Sequence, residues 1–133
     1  MYTVLGEEVV ESLEMAEKIA LETDFNIDAD ITKSTKREDV IAIRFSISIN
    51  DVPCDLKFSQ DDDVIFNMYM DAAEEMMSEY LEGIFDMNRR FISGAYKWDE
   101  VTNSIYLIVV ISDISLSYLK LKDVFNRLLR QND

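Results

Sequence analysis

No histidine occurs anywhere in the chain. That removes the usual general base near neutral pH, the commonest transition-metal ligand, and the Ser-His and Cys-His nucleophile arrangements. Cysteine is nearly as scarce. Cys54 is alone, so an internal disulfide is excluded, and no set of four nitrogen or sulfur ligands exists for a structural zinc. Its place on the apolar face of an expected strand points to a buried, inert thiol. The three glycines, Gly6, Gly83 and Gly94, are too dispersed to form a phosphate-cradling loop. Cations are few: 13 Lys and Arg stand against 27 Asp and Glu, a formal charge of -14 that disfavours nucleic acid and anionic membrane surfaces. The electrostatically favoured partner is a basic protein, or a segment with exposed cations. No apolar run approaches the roughly 18 residues of a membrane span. The first residues, MYTVLGEEVVESLE, are acidic where a signal peptide would be basic, so a cytoplasmic location is expected.

Two acidic stretches invite a metal and fail on inspection. DFNIDAD, Asp24 to Asp30, opens like a calcium loop, but Ala29 stands where Gly is needed and Thr35 where Glu is needed. Asp61, Asp62 and Asp63 are adjacent without further ligands and read as a solvated turn. No catalytic residue, cofactor or metal is therefore assigned.

What the chain does contain is dense apolar patterning: 48% hydrophobic residues over 133 positions, with a single proline. Residues 1–133 read as one domain. Val9, Leu13, Ala16 and Ala20 recur at helical spacing and predict an amphipathic helix from Glu7 to about Glu22. Phe25, Ile27, Ala29 and Ile31 alternate with polar residues and predict a strand sharing one apolar face. Ile41 to Ile49 alternates likewise. Asn50 and Asp51 suit a tight hairpin turn into a return strand carrying Val52, Cys54, Leu56 and Phe58. Val64 to Met70 is read as a fourth strand. Asp71 and Glu74 have the spacing of a capping box at the start of a long helix with the stripe Ala73, Met77, Tyr80, Ile84 and Met87. Met76, Leu81 and Phe85 widen its apolar face beyond what one sheet surface needs. Gly94, Tyr96 and Trp98 form the next strand, DEVTN a turn, and Ile105 to Ile111 a strand apolar on both sides and hence covered on both. Asp113 or Ser115 is expected to cap a final helix aligning Tyr118, Leu121, Phe125 and Leu128. The expected fold class is α+β, an antiparallel sheet in the order α-β-β-β-β-α-β-β-α.

The stretch YLEGIFDMNRRFISGAYKWDEVTNSIYLIVVI, Tyr80 to Ile111, places Asn88 after a hydrophobic helix and before a small-residue strand, an acidic turn and an apolar strand. With the small size, the acidity and the amphipathic last helix, this resembles the type III secretion chaperone-like fold, which includes class I secretion chaperones and the YbjN family. The resemblance implies a non-catalytic homodimer that holds extended segments of another protein. By position, Met76, Met77, Tyr80, Leu81 and Ile84 would supply the dimer contacts. The first helix and its neighbouring strands, with Val9, Leu13 and Ile27, would supply the partner contacts. The alternative reading is a small-molecule-binding regulatory domain, with a cup between sheet and second helix lined by Tyr69, Tyr96 and Trp98.

Overall fold

The computed structural model describes residues 1–54, 61–85 and 87–132. The chain begins with a hairpin, β1 (Tyr2–Leu5) and β2 (Glu8–Glu11), in place of the first turns of the expected helix. Gly6 explains this. It opens a two-residue loop with φ +66, a conformation that glycine adopts without steric cost, and Val4 then pairs directly with Val9. Helix α1 (Ser12–Glu22) starts only after β2, where the Glu11 carboxylate accepts the Glu14 N–H at 2.9 Å.

Next come β3 (Asn26–Asp30), a short 3-10 turn (Thr32–Thr35) and β4 (Val40–Ser48). β4 ends in a second 3-10 turn, Ile49–Asp51, and Val52 to Cys54 forms no return strand. Leu56 and Phe58, expected on that strand, lie outside the described residues. Helix α2 (Asp62–Ile84) replaces the expected fourth strand and begins nine residues before the expected capping box at Asp71. The Asp61 carboxylate accepts the Val64 N–H at 2.9 Å, and Asp62 and Asp63 occupy the first turn, where carboxylates suit the positive end of the helix dipole. The helix stops at Ile84, so Met87 is not part of its stripe. β5 (Arg89–Asp99), β6 (Ser104–Asp113) and α3 (Tyr118–Asn132) complete the chain. Ser117, rather than Asp113 or Ser115, caps α3 by accepting the Lys120 N–H at 3.3 Å, and Tyr118 stays 50% exposed.

The architecture is α+β, as expected, with the order β-β-α-β-β-α-β-β-α. The main sheet is antiparallel in the order β3-β4-β6-β5. Its two central strands are buried on both faces. Ile41, Ile43, Phe45 and Ile47 of β4, with Ile105, Leu107, Val109 and Ile111 of β6, pack under α1 and α2. Val40, Ala42, Ile108 and Val110 face the other way, against Leu121, Val124, Phe125 and Leu128 of α3. The sheet is thus enclosed between helices, which accounts for the apolar run of β6.

Each edge strand carries a bulge that changes which face its later residues serve. In β3, Ile27 pairs with Phe45 and Ala29 with Arg44, leaving Asp28 as the extra residue. Ile27 therefore joins the α1/α2 core, while Ile31 joins the α3 core in place of sharing one face with it. Asp30 is turned toward α1, where its carboxylate accepts the Ser12 hydroxyl at 2.5 Å and the Thr32 hydroxyl at 2.6 Å. Burial would push the Asp30 carboxyl up, but these bonds and the Thr32 N–H outweigh it and hold the group below the usual range. In β5 the extra residue is Tyr96, between Ala95, paired with Leu107, and Lys97, paired with Tyr106.

Candidate binding site

The β5 bulge decides what the aromatic residues can do. Without it, Tyr96 and Trp98 would share a face. With it, Tyr96 packs into the α3 core, while Ala95 and Trp98 pack under α2. Tyr69, Tyr96 and Trp98 consequently do not line one cup. Trp98 instead meets two residues of α2. Tyr69 approaches it edge-on, ring centroids 5.3 Å apart, and Phe66 stacks on it at 5.9 Å and 15°.

Helix α2 is laid along β5 by specific bonds. Glu74 accepts the Ala95 N–H at 2.7 Å, which occupies a backbone donor on the sheet edge, and the Ser78 and Ser93 hydroxyls lie 3.0 Å apart. Burial pushes the Glu74 carboxyl up, the Ala95 N–H opposing it. Tyr80 donates to the Glu22 carboxylate at 2.5 Å and ties α2 to α1. Burial, and then that bond, raise its phenol well above the ordinary value.

Around the Phe66–Trp98 stack opens a cleft of about 410 Å³, lined also by Asp62, Asp63, Ile65, Glu100 and Asn103. Each wall has a local cause. Asp62, Phe66 and Tyr69 lie at i, i+4 and i+7 on one side of α2. Glu100 and Asn103 belong to the β5–β6 turn, where the Asp99 carboxylate accepts the Val101 N–H at 2.9 Å and Asn103 takes up φ +51. Asn103 accepts the Trp98 indole N–H at 3.0 Å and so fixes the ring, while Ile49 N–H donates to the Asn103 carbonyl at 3.1 Å. Phe66 remains 40% exposed beside the carboxylates. An aromatic stack bordered by Asp62, Asp63 and Glu100 attracts a cationic group in two ways, through ring quadrupoles and through charge.

The five residues expected at a dimer interface divide. Met77 and Leu81 have no exposed surface because they point into the sheet core, and they cannot supply dimer contacts. Met76, Tyr80 and Ile84 are half-buried and lean on the same core. The inner part of the α2 stripe is thus absorbed within the chain, against β5 and the sheet core, while Val64 and Phe66 of the same helix stay exposed. Of the three expected partner contacts, Val9 is 68% exposed on the hairpin and Leu13 41% exposed at the start of α1. Ile27 is half-buried against the core. Asn88 sits in the turn between α2 and β5, its carbonyl accepting the Ile114 N–H at 2.8 Å. Cys54 is a half-buried free thiol.

Sequence reading missed Asp62, Asp63, Phe66, Glu100 and Asn103 as one site. A signal was present, since three aspartates before an apolar run mark a helix start as well as a turn. Among the described residues, no group of three or more His, Cys, Asp or Glu side chains is placed to hold a metal, and no helix is long and apolar enough to cross a membrane. In comparisons with known proteins, the chain matches no family model, no curated protein and no solved structure.

Proposed function

We propose that this chain is a non-catalytic protein-binding module whose partner presents a cationic segment, an arginine or lysine side chain of which seats against the Phe66–Trp98 stack. The carrying observation is the pairing of an exposed aromatic stack with Asp62, Asp63 and Glu100 in one cleft. The charge of -14 supports the same reading, because it concentrates basic partners near the surface and accelerates encounter. The absence of histidine supports a role without chemistry.

Trp98 is the sole tryptophan, so its fluorescence reports directly on the cleft. Titration with an arginine-rich peptide is expected to change that emission saturably, and to weaken as salt is raised. A peptide of the same length with glutamate for arginine should leave it unchanged. In the triple variant Asp62→Asn, Asp63→Asn, Glu100→Gln, the affinity should fall about tenfold or more, each exposed ion pair contributing up to about 1 kcal/mol. Equal responses from the two peptides, or full affinity in the triple variant, would remove the cleft as the docking site.

A further inference from the structure

In a chain so short of cations, four of the thirteen line a single cleft of about 350 Å³. Lys36, Arg37, Lys120 and Arg127 meet there, between the turn after β3 and the first half of α3, with Asp123 as the one carboxylate in the lining. The walls are held in place. The Thr35 hydroxyl donates to the Thr32 carbonyl at 2.7 Å and accepts the Arg37 N–H at 3.1 Å, which sets the loop on which Lys36 takes up φ +57. Arg127 Nη2 donates to the Thr35 carbonyl at 2.5 Å and clamps α3 to that loop.

The charges, by contrast, are poorly matched. Arg37 is engaged by Asp39 through two bonds, at 2.7 and 3.0 Å. Neither Lys36 nor Lys120 is in an ion pair among the described residues. Arg127 Nε is buried and has no hydrogen-bond partner among the described residues, while its Nη2 is held by the Ser34 and Thr35 carbonyls. Four cations surround one cleft with a single carboxylate in its lining, and although Lys120 also lies in the field of Asp39, the excess of positive charge is one that a bound anion neutralises. On these grounds we propose that this cleft binds a small oxyanion of the phosphate class, free or as a phosphomonoester, held by Lys36 and Lys120 with Arg127 behind them. The site is separate from the aromatic cleft and does not depend on the function proposed for it.

The test uses the full chain, with inorganic phosphate and glycerol phosphate as the two probes and chloride at matched ionic strength as the control. Isothermal calorimetry and amide chemical shifts are the readouts. Saturable binding is expected, with shifts confined to residues around 34–37 and the start of α3. The double variant Lys36→Gln, Lys120→Gln, which alters two exposed side chains, should bind about tenfold more weakly or worse. Tighter binding of glycerol phosphate assigns the site to an esterified phosphate, and equal binding assigns it to the free anion. A response to phosphate no greater than that to chloride, or undiminished binding by the double variant, overturns the proposal.

Discussion

Substituting Gly94 by alanine puts the packing of the sheet against α3 to a direct test. A Cβ at Gly94 would lie 2.5 Å from Phe125 Cζ and 3.3 and 3.4 Å from the two neighbouring ring carbons. Carbon atoms rest at about 3.5–4.0 Å, so the ring would have to retreat by roughly 1 Å. Phe125 is 4% exposed and set among Ile108, Val110, Leu121 and Leu128, which leaves little space for that retreat. Overpacking of this kind costs about 1–3 kcal/mol. Gly94 is not in the left-handed region, so alanine would otherwise gain about 0.5–1 kcal/mol in a strand interior. The net expectation is a loss of about 1–2 kcal/mol, read as a lower urea midpoint at constant slope. Phe125→Leu should relieve the clash, making the double variant more stable than the sum of the two single losses by at least about 0.5 kcal/mol. Trp98 emission, on the opposite face of the sheet, should not change. Wild-type stability in Gly94→Ala, or strict additivity in the double variant, would refute the contact as the reason for glycine.

Met77→Asp should unfold the chain instead of splitting an assembly, with a loss of about 4 kcal/mol or more, because a fully buried site would receive an unpaired charge. Circular dichroism and light scattering separate the two outcomes, and a folded Met77→Asp variant of lower mass would restore the dimer role of this residue. Glu74 gives a pH signature. Its folded pKa is raised, so the protonated form favours the fold, and this contribution is present below the ordinary glutamate range and lost as pH rises through the folded value. Glu74→Gln keeps an acceptor for the Ala95 N–H, and its stability should match wild type near pH 3 and equal or exceed it at pH 7. Glu74→Ala leaves that donor unpaired and should cost about 1–2 kcal/mol at both pH values, measured by urea titration.

Much of the framework was legible in the chain. The unbroken apolar run Ile105 to Ile111 marked a strand covered on both faces, and β6 occupies that position between β4 and β5. The α3 residues Leu121, Phe125 and Leu128 pack as their spacing suggested. Val64 to Met70 misled because seven residues of alternating size fit a period of two almost as well as a period of 3.6. The residues that separate the two readings, Asp61 to Asp63, suit a solvated turn as well as a helix start. Gly6 was likewise a readable hairpin signal, obscured by the helical spacing of Val9, Leu13 and Ala16 beyond it.

By itself the sequence determined the fold class, the strongly acidic charge, and the exclusion of histidine chemistry, because these depend on residue type and local period. Only the tertiary structure decided which residues share a surface. The bulges at Asp28 and Tyr96 arise from how an edge strand registers against its neighbour, and a single extra residue reverses every side chain beyond it. That reversal leaves Tyr96 facing α3 and turns Trp98 to the opposite face, beside Phe66. The aromatic cleft therefore exists through strand pairing that no local pattern in β5 encodes.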